Sequence, residues 1–360
     1  MLRAPAIAMP TARREGVREF LMVGGLTPLL FALSWLLRTT LGLDEAELAV
    51  GFTFFYGAHL INDPHFAVSY VLFYDDVRAR ALGNAFVPRQ RARYWLAGFA
   101  VPALLLAWSG WALVARSALA LGALIQLMFL LVGWHYVKQG FGVLMVLGAR
   151  RGVQFTGRER MALLAHALCG WAYAFASPFD PGRALEEKGV PYTTLAHPRW
   201  LEPLTLTLLL TTVPGVLWAL RGKRRLLTPL TGFLCSVWAW SIFSALDPLV
   251  RYAIPALHSL QYLYFVALLK GSEARERERE PWFETAAPVR LARLALTALV
   301  LGWLLFHGVP SWLDDGRPSP LGPTPWFAAL YAFVNIHHYF MDSVLWRREN
   351  PSMRHLRALP

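Results

Sequence analysis

The sequence predicts an all-α polytopic membrane protein, a bundle of about ten transmembrane helices, on three observations. Of 360 residues, 56% are apolar and only 16% charged, against roughly 25% charged in a soluble domain. Apolar runs of about 20 residues, enough to cross a hydrocarbon core, recur from end to end. The connections between them alternate in charge, as the positive-inside rule requires of a multi-pass chain. Disordered, collagenous and disulfide-scaffold classes are excluded by the same composition.

Taken in order, the segment 19–42 follows Arg13, Arg14 and Arg18 and is long enough to persist as a helix. No signal-peptide core precedes it. It runs into Asp44, Glu45 and Glu47, after which 46–74 returns to Arg78, Arg80, Arg89, Arg91 and Arg93. The segment 94–114 ends at Arg116, and 118–148 leads back to Arg150, Arg151, Arg158 and Arg160. The segment 160–178 reaches a mixed loop, 179–201, and 202–220 returns to Arg221, Lys223, Arg224 and Arg225. The segment 226–246 ends at Asp247, with Arg251 four residues on as a candidate ion-pair partner, and 250–270 returns to Lys270, Arg275, Arg277 and Arg279. The segment 288–308 meets a Pro-rich stretch with Asp314 and Asp315, and 325–346 closes on Arg347 and Arg348. Every second connection is basic, so the expected topology has both termini cytoplasmic in a cell inner membrane. The expected organisation is a cytoplasmic segment 1–18, a transmembrane domain 19–348 and a cytoplasmic tail 349–360.

On this reading the net charge of +12 reports topology and not a nucleic-acid partner. Cys169 and Cys235 form no CxxC and fall inside apolar runs, so neither a zinc knuckle nor a secreted framework is expected. No Walker A, dinucleotide-binding GxGxxG, GxSxG or HExxH motif is present. The alternating stretch Glu273–Glu280 reads as a solvated connector. Any chemistry therefore belongs inside the membrane.

Histidine is the conspicuous residue there. His59, His65, His135, His166, His258, His337 and His338 lie within expected spans, where ionisable groups are costly and face the bundle interior. Residues three and four apart share a helix face. His59 thus shares one with Asn62 and Asp63, beside Pro64; His135 with Lys138 and Gln139; His258 with Gln261 and Tyr262; His338 with Asn335 and Asp342. His65 is turned about 120° from His59 and reaches the same site only if Pro64 distorts the helix. His166 has no nearby carboxylate and reads as packing, while His197, His307 and His355 are expected to meet water. Counted from the basic residue at each cytoplasmic end, His59, His135, His258 and His338 lie 19, 15, 12 and 9 residues deep, a spread of about 14 to 28 Å. Four helices each presenting a histidine with hydrogen-bonding neighbours point to a metal. Imidazole suits zinc, copper, iron and nickel, and Asp63 and Asp342 could orient the rings through their second nitrogens.

At these residues the chain resembles the bacteriorhodopsin-related family of membrane beta-carotene 15,15'-dioxygenases. Its four motifs are similar to His59 to Asp63, to His135 after an aliphatic run, to His258, and to His337 to Asp342 with Arg347. The family's third motif carries a second histidine where this chain has Tyr262. The resemblance implies non-haem Fe(II), dioxygen as co-substrate and cleavage of a polyene double bond. The metal ligands expected are His59, His135, His258 and one of His337 or His338, with His65 as a further candidate. Asp63, Lys138, Tyr262 and Asp342 are the expected catalytic or orienting residues. The substrate is expected to be a hydrophobic carotenoid or lipid entering from the bilayer past aromatics such as Trp134, Tyr136, Tyr262, Tyr264 and Tyr339. Two other enzymatic or transport readings stand beside this one. A di-iron desaturase or hydroxylase would use several histidines on one helix end, but no HxxHH box is present. A proton-coupled transporter would use His59, Asp63, Lys138 and Asp342 as a relay, but no repeat pairs the two halves. A non-catalytic membrane scaffold is the remaining class.

Overall fold

The computed structural model describes residues 8–177, 186–187, 190–191, 196–223, 225–243, 247–278, 286–315 and 319–357. Parts of the expected N-terminal segment, of the loop 179–201, of the Glu/Arg stretch and of the C-terminal tail lie outside these. Among the described residues the regular structure is helical except for a two-residue antiparallel pairing of Glu186–Glu187 with Val190–Pro191. The helices are α1 (Ala8–Phe20), α2 (Leu26–Leu41), α3 (Leu43–Tyr74), α4 (Val77–Ala81), α5 (Pro88–Trp95), α6 (Val101–Val114), α7 (Ala118–Arg150) and α8 (Gly157–Ala176). They continue with α9 (Leu201–Leu220), α10 (Leu227–Leu234), α11 (Pro248–Glu278), α12 (Ala287–Trp303), α13 (Val309–Asp314), α14 (Pro325–Leu345) and α15 (Arg354–Arg357). Single π-turns join α1 to α2, α5 to α6 and α12 to α13, and another extends α10.

Local chemistry sets the helix starts. Thr156 and Glu159 form a reciprocal capping box on α8, satisfying two otherwise orphaned N–H groups. Ser117 accepts from the Ala120 N–H at the start of α7. The Asp247 carboxylate accepts from the N–H groups of Leu249 and Val250 at the start of α11, and also from Ser34 Oγ on α2 at 2.8 Å. Asp314, at the end of α13, accepts from the N–H groups of Trp326 and Phe327 and so caps α14 from outside it. Gly24 lies at φ +150°, where the chain bends between α1 and α2. A Cβ there would also sit 3.3 Å from Gly232 Cα of α10.

Among the described residues, six helical stretches are long and apolar enough to cross a membrane: Arg14–Leu41, Pro88–Val114, Ala118–Arg150, Leu201–Leu220, Leu249–Arg277 and Ala287–Asp314. Leu227–Ala239 is a shorter apolar helix. The other segments expected to span, those of α3, α8 and α14, are helical as well but carry the chain's polar interior residues. Large apolar side chains lie exposed along α2 (Leu29, Leu33, Trp35), α6 (Leu104, Leu106, Trp111), α9 (Leu204, Leu208, Leu217) and α12 (Leu296, Val300, Trp303). Contiguous apolar surface on this scale suits a lipid solvent and not water.

Two of the interior's apolar clusters lie toward the two ends of α14. Ala328, Ala329, Ala332 and Ile336 pack with Leu121, Leu124 and Ile125 of α7 and Leu105 of α6. Met341, Val344 and Leu345 pack with Phe73 of α3, Tyr94 of α5 and Val266 of α11. The polar centre lies between them.

Candidate metal centre

His65 of α3, His135 of α7, His258 of α11 and His338 of α14 converge there. One ligand nitrogen from each lies within 4.8 Å of all the others, and all four side chains are buried. His135 Nε2 is 3.1 Å from His258 Nε2 and 3.3 Å from His338 Nε2. Bonds of about 2.05 Å to one ion in tetrahedral geometry would hold nitrogens about 3.3 Å apart, so this spacing fits donors sharing an ion. His65 uses Nδ1 with Ser259 Oγ at 3.0 Å. Its Nε2 is buried with no hydrogen-bond partner, which leaves that atom as the ligand. Asp342, one turn beyond His338, places Oδ2 3.5 Å from His338 Nε2 and 3.8 Å from His135 Nε2. A carboxylate beside the donor nitrogens offsets part of a dication's charge in a site shielded from water.

The surrounding side chains fix these positions. The Tyr262 hydroxyl donates to Asp342 Oδ1 at 2.9 Å and lies 2.6 Å from Ser69 Oγ. Ser259 Oγ is within hydrogen-bond distance of Asn62 Oδ1, His65 Nδ1 and the Pro255 carbonyl, tying α3 to α11. Gln139 Nε2 donates to Gln261 Oε1 at 2.8 Å and to the His258 carbonyl, tying α7 to α11. Tyr339 stacks on His135 with ring centroids 4.7 Å apart, and its hydroxyl donates to Asn335 Oδ1. Orienting contacts of this kind hold ligand rings in register and typically change metal affinity 10- to 100-fold when removed.

Several expected residues lie elsewhere. His59 is exposed and does not join the group. The reason is that α3 runs as one helix through Pro64, so the turn of about 120° between His59 and His65 persists. Asn62, His65 and Ser69 form the face toward α11, whereas Asp63 faces Gly302 of α12 and His59 is exposed. Asp63 is turned to His307, its Oδ2 2.9 Å from His307 Nε2, so it does not orient a ligand ring. His307, expected to meet water, is only about one-third exposed (35%) for this reason. His337 faces away from His338 because adjacent residues lie about 100° apart on a helix. Its Nδ1 is 3.0 Å from the Tyr70 hydroxyl and its Nε2 3.4 Å from that of Tyr74. Lys138 is exposed on the outer face of α7. Tyr262 and Asp342 are at the centre. Of the aromatics, Tyr136, Tyr262 and Tyr339 touch the ligand rings, Tyr136 4.5 Å from His258 and Tyr262 4.5 Å from His65, whereas Tyr264 bonds Glu19 Oε2 instead.

His166 is buried and held by Thr212 Oγ1 at 2.8 Å and Trp238 Nε1 at 3.1 Å, a packing histidine. His355 is buried against Glu276 of α11 at 3.1 Å and not in water, because the C-terminal turn folds back on α11. Ser69 and Ser259 were not singled out in the sequence. The signal for Ser69 was its spacing from Asn62 and His65 on one helix face, and for Ser259 its place directly after His258.

No sequence family, curated protein or solved structure matches the chain.

Proposed function

We propose that the chain is an integral-membrane oxygenase in which His65, His135, His258 and His338 hold a single non-haem iron that activates dioxygen against a hydrophobic substrate. The observation that carries this reading is the convergence of four buried imidazoles from four helices between two apolar clusters. Imidazole donors with a nearby carboxylate suit iron, and a carotenoid or lipid substrate can enter such a site directly from the bilayer. Of the four motif histidines that carry the likeness to the carotene-cleaving family, His135 and His258 support this reading, while His65 and His338 are ligands the motifs do not name. When bound, the metal supplies the oxidising chemistry. The protein's part is to fix the rings through Ser259, Tyr262 and Asp342, and to exclude water. Cleavage of one double bond by dioxygen balances without an added reductant, one oxygen atom entering each of the two aldehydes.

Ten spans with both termini cytoplasmic in an inner membrane is the topology that goes with this reading, supported by the alternating charge of the loops. A di-iron centre is less favoured because the described residues hold a single such group. The relay of a transporter is not favoured either, since Lys138 and His59 are exposed and Asp63 faces His307.

The test is expression in a beta-carotene-accumulating bacterial host. The wild type should bleach the pigment and release retinal, and His258→Ala should not. An unchanged pigment with iron-loaded protein in the membrane would reject carotene cleavage. A mass change of one oxygen or two hydrogens in the host lipids would then identify hydroxylation or desaturation as the reaction.

A further inference from the structure

Among the described residues, Asp342 brings a carboxylate oxygen to the donor nitrogens themselves. A carboxylate that orients a ligand ring accepts instead from the ring nitrogen that does not bind the ion. Asp342 is not placed to do that. Its Oδ2 lies 3.5 Å from His338 Nε2 and 3.8 Å from His135 Nε2. These two nitrogens are 3.3 Å apart, and His135 Nε2 is 3.1 Å from His258 Nε2, so they are the atoms that face the shared centre. The second nitrogen of His338, Nδ1, is buried and has no hydrogen-bond partner; the carboxylate one turn away leaves it unmet. Oδ2 is therefore on the ion's side of both rings. The other oxygen, Oδ1, accepts from the Tyr262 hydroxyl at 2.9 Å, so the carboxylate is anchored by one oxygen and presents the other.

Spacing and charge both favour a direct bond. Bonds of about 2.1 Å set neighbouring donors about 3.0 Å apart at right angles and about 3.4 Å apart in a tetrahedron. The nitrogen spacings of 3.1 and 3.3 Å fall in that range, and Oδ2 stands less than 1 Å beyond its lower end. A small rotation about the broad χ2 torsion of an aspartate closes such a gap. Four neutral imidazoles alone leave the full charge of a divalent ion in a buried site, whereas a bound carboxylate halves it. We propose that Asp342 Oδ2 is a fifth ligand, completing a set of four histidines and one carboxylate. On an octahedral ion five donors leave one open position, enough for a small co-substrate and none for the organic one. The organic substrate of this site then needs no metal-binding group, which selects a plain hydrocarbon chain over a hydroxy or keto acid. A hard oxygen in the set also disfavours copper(I). This inference rests on the oxygenase reading for the substrate, but not for the placement of the donors.

The test titrates cobalt(II) into the metal-free full chain in mild detergent, where visible absorption reports coordination: intense for four ligands in a tetrahedron, weaker for five or six. The wild type should show the weaker bands. Asp342→Asn, nearly isosteric and still offering Tyr262 an oxygen, should change their position and lower cobalt affinity by more than the roughly 100-fold that bounds an orienting contact. Asp342→Glu keeps the charge but moves the oxygen, and should change the bands as well, which a charge acting through space would not require. Tyr262→Phe leaves the carboxylate on the ion and should keep the wild-type bands at saturating cobalt. Intense tetrahedral bands in the wild type overturn the proposal and leave the four-histidine centre standing, as do bands that are identical in the wild type and in whichever Asp342 variant folds. A wild type that binds neither cobalt nor iron overturns the centre and the fifth ligand together. Carotene turnover is not read in this experiment, so its failure elsewhere bears on the oxygenase reading alone.

Discussion

Replacing His135 by Ala is the sharpest perturbation of the centre, because its Nε2 lies within 3.8 Å of two other donor nitrogens and of Asp342. Loss of this ligand should lower metal affinity well beyond the 10- to 100-fold that follows loss of an orienting contact. It also removes a buried ring stacked on Tyr339, a large-to-small change costing about 2–4 kcal/mol in packing whatever the metal does. The control is therefore His166→Ala, which empties an equally buried site and breaks two hydrogen bonds, worth about 1 kcal/mol each, outside the group. Both variants should unfold at lower temperature. They should differ in metal per chain, measured by elemental analysis of protein purified in mild detergent, and in response to a chelator. An ion at 100 times its dissociation constant stabilises the folded chain by about 2.7 kcal/mol. Chelation should remove that increment from the wild type and from His166→Ala, but change nothing in His135→Ala. Equal stoichiometric metal in the two variants would falsify the site, and so would wild-type protein that carries no metal when purified without chelator.

Three further outcomes are expected. Tyr262→Phe removes the donor to Asp342 Oδ1 and the contact with Ser69, and should weaken metal retention about 10- to 100-fold with little loss of folded protein; a chelator-competition titration that superimposes on the wild type refutes this orienting role. A reporter fused after residue 348 should be cytoplasmic and one inserted within 314–322 extracytoplasmic, as the charge alternation demands; both on one side would end the ten-span topology. The hydrogen bond from Lys223, with that from the Thr156 N–H, holds the Glu159 carboxyl below its ordinary value of 4.5. Because the folded value is the lower one, this contribution is complete above pH 4.5 and is lost as the pH falls further. Amides in the first turn of α8 should then exchange faster, and in Glu159→Gln their exchange should show no such step.

The helical class and the histidine-bearing helices were legible in the sequence because composition and run length bear directly on a bilayer solvent. Pairing of each histidine with partners at i+3 and i+4 singles out His135, His258 and the Asp342 turn, which the fold brings together. It misplaced the contribution of α3. The motif His59 to Asp63 is a genuine helix face, but that face serves the contact with α12, where Gly302 would drive a Cβ to 2.8 Å from the Asp63 backbone. Which of two faces on one helix meets the centre depends on what packs against each, and that information lies in other parts of the chain. The ambiguity between His337 and His338 has the same origin: both are buried, and only the positions of Tyr70 and Tyr74 on α3 decide which ring turns away.

The same division between faces explains why apolarity selects six stretches while two of the four helices of the site, α3 and α14, lie outside that set. In α14, fourteen of 21 residues are buried, among them Asn335, His337, His338 and Asp342, and the stretch 62–69 of α3 is buried throughout. Such helices contact protein on most sides and need no apolar coat. Their polar residues, which lower their hydropathy, face the polar centre and one another. The lipid-facing requirement falls instead on α2, α6, α9 and α12, whose exposed leucines and tryptophans form the outer surface. Hydropathy thus reads the outer helices directly and understates α3 and α14. A polar substitution at Leu104 or Leu217, on the outer face, should disturb insertion without touching metal content, whereas an apolar substitution at His65 or His338 should do the reverse.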